Sequence, residues 1–236
     1  MFMSKERFLK NISLTRESRQ LEKRRVVIAE QKANDIMNQF QYNIQSIREK
    51  FAIYDELFEN GKKQHAEDVL RSQIVFLMSA LDFYMHEIVR YRLLKMFSGE
   101  IRKTESYKTF IVSLQTVEEA LKNPETIDWL SEEIILRHSH KTFMASKAIK
   151  EVLSLISREK IFAQACQALQ TEHTTATKYM DDIYRRRNEI AHQADRPHNE
   201  EKQHRICKEE VEQYIDFIEK FVQHVHRLLM EEESKD

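Results

Sequence analysis

Three residue types that together can move a proton and hold a negative charge lie close together near the C-terminal end of the chain. They are Arg187, Asn188 and His192, in the stretch YRRRNEIAHQADRP from Tyr184 to Pro197. Histidine has the side chain whose ordinary pKa lies nearest neutrality, which suits it to general acid–base work. Arginine stays charged and offers phosphate oxygens a planar fork of donors. On a helix Asn188 and His192, four apart, stack on one face, whereas Arg187 and His192 stand about 140° apart. The two can converge only in a cleft between elements or where the helix ends. Pro197 cannot continue a helix, so His192 is expected near a helix terminus. A plainer reading fits the spacing equally well: Arg187 as an exposed cation and His192 as a residue set against the negative end of the helix dipole.

The elements that position these residues must be helical. The chain has 236 residues but only 2 Gly and 2 Pro. Tight-turned sheets, Rossmann loops and P-loops all consume glycine, because glycine alone takes positive φ cheaply. Neither GxGxxG nor GxxxxGK[ST] occurs, which excludes nucleotide-binding enzymes of those classes. The formal net charge is -1, but its distribution is uneven. Residues 1–25 hold eight Lys/Arg against three Glu, and residues 200–236 hold eleven Asp/Glu against six Lys/Arg. An anionic partner would therefore meet local patches rather than the whole surface. Cys166 and Cys207 lie far apart without CxxC spacing, which fits a reducing cytoplasm. The polar N-terminus lacks a signal-peptide core, and the longest apolar run, Ile74 to Leu81, is far short of a membrane span. A cytoplasmic protein with no membrane partner is expected.

The periodicity predicts an all-α bundle. Ile36, Phe40, Ile44, Ile47, Phe51, Tyr54 and Phe58 fall at steps of three and four, a stripe close to a coiled-coil seam. Asn60-Gly61 offers a helix C-cap. Residues 1–60 are thus read as an N-terminal helical arm or hairpin, and 61–236 as a helical domain. A helix from about Lys62 to Phe97 is apolar on more than one side, which marks it as central or at a subunit interface. Helices are expected over about Glu105–Lys122, Pro124–Arg137, Thr142–Ile156, Arg158–Leu169, from about Thr174 into the opening stretch, and Cys207–Met230.

The string RRRNEIAHQAD resembles the signature of HEPN domains: an Arg, a polar residue that is often Asn, and a His a few residues on. The match extends beyond the motif. VLRSQIVFLMSALDFYMHEIVRYRLLKMF, from Val69, resembles the long core helix of the RiboL-PSP type of HEPN domain, and ICKEEVEQYIDFIEKFVQHVHRLL its terminal helix. The resemblance covers roughly residues 65–230. It implies a HEPN-type helical bundle that pairs so that two motifs face one cleft, and a metal-independent endoribonuclease that binds no cofactor. By resemblance His192 and Arg187 carry the reaction and Asn188 supports it, with Arg185 and Arg186 adding phosphate contacts to RNA. The same resemblance implies a homodimer acting as a toxin or antiviral defence effector, with an antitoxin or defence-system protein as partner. The alternatives are a non-catalytic HEPN-like module that binds RNA or protein, and a structural helical protein whose arm forms a coiled coil.

Asp82 is the next candidate. It sits in an otherwise apolar helix with His86 four residues on. Either the two form a solvated pair, or Asp82 lines the cleft and pairs with Arg187 or His192, since buried carboxylates are usually paired. His138 with His140, and His224 with His226, are two apart and point to opposite sides of a helix, so neither pair shares a metal. His198 and His204 read as surface residues, Cys166 as a small core residue, and Trp129 as an anchor for its helix. No metal site is expected.

Overall fold

A computed structural model of the chain describes residues 16–196 and 202–235, with side chains from residue 33 onward. The described residues form helices and no strands. They are α1 (Arg16–Glu59), α2 (Lys63–Ser98), α3 (Glu105–Lys108), α4 (Leu114–Lys122), α5 (Asp128–His138), α6 (Ser146–Ile156), α7 (Ile161–Ala168), α8 (His173–Gln193) and α9 (Lys208–Glu233).

The helix α2 is the central element, as its two-sided apolar pattern predicts. α1, α5, α6, α8 and α9 all pack on it, and Leu70, Ile74, Leu77, Met78, Leu81, Tyr84, Met85 and Ile88 are fully buried. The Ile36–Phe51 stripe of α1 lies along α2 in the same core. Phe40 stacks edge-on against Tyr84, and the Gln73 side chain donates to the Ile47 carbonyl at 2.9 Å. The α1–α2 hairpin is therefore antiparallel. Its turn uses Gly61 at φ 72°, and α2 ends on Gly99 at φ 78°, both left-handed positions that glycine takes at little cost. Residues 1–15 of the expected arm lie outside the described residues, and so does His198.

Several helix boundaries differ from expectation: α6 begins at Ser146 rather than Thr142, α7 at Ile161 rather than Arg158, and α9 runs on to Glu233. The stretch read as one helix over 105–122 is two, split at Thr109–Ser113. β-branched Thr109, Ile111 and Val112 weaken the helix there, and Ser113 starts a new one by accepting from Thr116 N at 3.1 Å. α5 begins at Asp128 rather than at Pro124. Trp129 fixes its entry by donating to Thr126 O at 3.1 Å and meeting Phe97 edge-on.

Buried polar groups are tied into the frame. Arg92 donates to Ile156 O, Leu229 O and Glu232, joining α2 to α6 and α9. Cys166 is buried as expected for a small core residue.

Candidate functional site at the end of helix α8

α8 is anchored along its buried face by Ala176, Met180 and Ile183, and this sets the direction of the residues that follow. Asp181, six residues before Arg187, accepts from Ser146 N and Ser146 Oγ at 2.8 Å each. The helix runs on through Arg187 and Asn188 and ends at Gln193, so His192 lies in its last turn, as Pro197 implied.

The Arg187 guanidinium engages its neighbour. Its Nη1 donates to Asn188 Oδ1 at 3.0 Å, so the charge leans toward the side on which Asn188 and His192 stack. Arg187 is half-buried, and its buried Nε has no hydrogen-bond partner among the described residues. His192 is exposed, and among the described residues it makes no hydrogen bond or ion pair. Asn188 thus orients the arginine; no hydrogen bond joins it to the histidine. The three groups near the end of the helix are a cation, the amide that holds it, and an exposed histidine.

The other arginines of the run divide. Arg185 points outward with 69% of its side chain exposed, against Asp182 at 2.9 Å. Arg186 turns inward: its Nη2 donates to Asp195 Oδ2 and to Arg205 O, both at 3.0 Å.

Asp195 is a residue the sequence reading missed. It is fully buried, and its Oδ2 also accepts from Arg71 Nε at 2.7 Å. Arg71 Nη2 donates in turn to His204 O at 3.0 Å, and His204 N to Asp195 O at 2.8 Å. These bonds clamp the segment after α8 onto α2. The clamp holds a costly backbone: Ala194 at φ 50° and Asp195 at φ 60° are left-handed without being glycine, at roughly 1–2 kcal/mol each. The available signal was Arg71, a charge inside the apolar run VLRSQIVF.

Asp82 lies elsewhere within the chain. Its Oδ1 accepts from Phe143 N at 2.5 Å and lies 3.7 Å from His86 Nε2. Of the two readings of Asp82, the local Asp–His pair is the one present in a single chain; Asp82 has no bond to Arg187 or His192. His138, beside this pair, is buried, and burial lowers its pKa to about 4, aided by the positive charge of Lys141. Among the described residues no group of three or more His, Cys, Asp or Glu could hold a metal ion, and no helix is long and apolar enough to cross a membrane.

An all-α bundle with a central two-sided helix, ending a second long helix on Arg-Asn-x-x-x-His, defines a HEPN-type domain. The chain belongs to the RiboL-PSP-HEPN family, whose model matches residues 38–231. The match begins inside α1, further toward the N-terminus than the stretch that carried the resemblance. Membership suggests a ribonuclease or RNA-binding function. Comparison with curated proteins and with solved structures gives no match.

Proposed function

We propose that the protein is a metal-independent endoribonuclease working at a composite site between two copies. The observation that carries this reading is the Arg187–Asn188 bond beside an unengaged His192. Cleaving RNA without a metal requires a base for the 2′-OH proton and a cation for the charge on the phosphorane. His192 is the proton carrier, Arg187 the cation and Asn188 its support. Arg185, exposed at the mouth, meets the RNA backbone; Arg186 serves the Asp195 clamp and reaches RNA only if that clamp opens.

One histidine in an open strip does not shield a reaction from water, and a second copy would supply both walls and a second His192. The exposed Phe76 and Phe83, seven residues apart on the helix that carries α8, favour pairing over the open face of α2. Asp82, adjacent to Phe83, is turned about 100° from it toward Phe143 and His86, and any place for it in catalysis belongs to the paired form. The toxin or defence role, and an antitoxin or defence-system partner, rest on the family resemblance.

The second reading is a non-catalytic RNA- or protein-binding module. It is favoured by the openness of His192 within one chain. Incubating the purified protein with defined RNAs separates the two. The enzyme cuts, and His192→Ala or Arg187→Ala abolishes cutting while leaving the fold intact. A well-folded His192→Ala protein that cuts as fast as the parent rejects the assignment.

A further inference from the structure

The helix face that carries Asn188 and His192 begins one turn earlier, at a residue the proposed reaction leaves idle. Tyr184, Asn188 and His192 fall at steps of four along α8. Each therefore lies about 40° round the helix from the last and about 6 Å further along it. Arg187, three residues after Tyr184, stands about 60° to the other side of it. Tyr184 is thus one turn from both members of the Arg187–Asn188 bond.

The other tyrosines show what the residue does in this bundle when its role is packing. Tyr84, Tyr91 and Tyr214 bond their hydroxyls to His226, Glu233 and Glu210. Tyr54 and Tyr107 lie under the ammonium groups of Lys208 and Lys103, and Tyr179 meets Tyr214 and Phe217 edge-on. Among the described residues Tyr184 makes no such contact. Its ring is half-buried and packs on the core, yet its hydroxyl has no hydrogen-bond partner there and is not buried. The polar edge of a ring held by the core is therefore wet. Tyr42 also lacks these partners, but it is 70% exposed on α1 and nothing holds its ring.

A ring fixed in this way has little rotamer freedom left to lose, which makes it a pre-organised contact surface. Beside arginines suited to phosphate, the group that fits such a surface is a nucleobase. Every base has a π-face, and bases freed from a stack are received on aromatic side chains.

We propose that Tyr184 is a nucleobase-contacting residue of the Arg187–Asn188–His192 site, receiving on its ring an unstacked base of the bound RNA. This role rests on the reading of the site as one that meets RNA, and it adds a contact that carries no charge. Tyr184 lies about 12 Å from His192 along the helix, so the base it receives flanks the cut.

Full-length protein carrying His192→Ala holds RNA without cutting it. A short single-stranded oligouridylate with one internal 5-iodouridine, which crosslinks to a stacked aromatic ring on illumination, then reads the contact. The adduct is expected at Tyr184. Tyr184→Leu, which keeps the buried apolar volume, should raise Kd by about tenfold. Its salt dependence should stay parental, because no charge is removed. Tyr184→Phe keeps the ring and should bind as the parent does. An adduct that maps elsewhere, a parental Kd for Tyr184→Leu, or an equal loss in Tyr184→Phe overturns the proposal. If the chain with His192 restored cuts RNA while Tyr184→Leu binds normally, the base contact alone is rejected. Binding through Tyr184 without any cutting upholds the contact and rejects the ribonuclease reading. A chain that binds no RNA overturns both.

Discussion

Arg71 Nε lies 2.7 Å from Asp195 Oδ2, across 124 residues of sequence, and neither side chain has appreciable contact with solvent. This pair closes the bundle at the end that bears His192. With the bonds from Arg186 and His204 to the same residue, it offsets two consecutive left-handed residues at the end of α8.

Removing one partner of a buried pair leaves the other charged and unpaired, at a typical cost of about 3–5 kcal/mol. Asp195→Ala is therefore expected to lower unfolding stability by about 3 kcal/mol in urea. Arg185→Ala, which removes an exposed arginine, should stay within about 0.5 kcal/mol of the parent. A loss below about 1 kcal/mol for Asp195→Ala would show that the loop is held by something else.

Much of this was legible from spacing. Steps of three and four from Ile36 to Phe58 placed α1, and a two-sided apolar pattern marked α2 as central, because both are properties of a single helix. Pro197 put His192 at a helix end for the same local reason. What escaped was non-local. Nothing near Asp195 in sequence announces Arg71, and Arg186 reads as one more cation until its long-range acceptor is seen. The break at Thr109–Ser113 was hidden because Tyr107, Phe110, Leu114, Val117 and Leu121 keep steps of three and four across it. The division at residue 60 falls between two helices that share one core.

The buried His138 gives the fold an acid limit. Its pKa is lowered to about 4, first by burial and then by the positive charges of Lys141, His86 and Arg137. In the unfolded chain the same ring takes up its proton near the ordinary value of about 6.5. Between these values the unfolded state binds more protons, so stability present above about pH 6.5 is lost as pH falls toward 4. His138→Leu should flatten the dependence of unfolding stability on pH across that window. An unchanged slope would place the titration elsewhere, for instance at His226, whose pKa burial also lowers.

Pairing over α2 has its own test. Phe76 and Phe83 are 49% and 44% exposed on one face of the central helix, more apolar surface than a lone helix face leaves open without cause. Light scattering at micromolar concentrations should give a homodimer, and Phe83→Glu a folded monomer that has lost cleavage. A monomeric parent that still cuts RNA would remove the composite site.

Cleavage is expected to need the 2′-OH and to survive EDTA. The expectation rests on the groups at hand. Arg187, Asn188 and His192 comprise a cation, an amide and a proton carrier, with no carboxylate bonded to any of them among the described residues. These groups suit attack by a nucleophile that needs only to lose a proton, and the 2′-OH of the substrate is tethered beside the phosphorus. Histidine takes that proton, and arginine opposes the charge that develops on the phosphoryl oxygens. Products should therefore carry a 2′,3′-cyclic phosphate and a 5′-OH. A substrate with a single 2′-deoxy nucleotide at the cut site should resist cleavage, whereas an RNA with the deoxy substitution one nucleotide away should be cut normally. Asn188→Ala should slow the reaction less than Arg187→Ala, because it frees the guanidinium without removing it. Full activity on the deoxy substrate, or activity lost in EDTA and restored by Mg²⁺, would assign the reaction to a different mechanism.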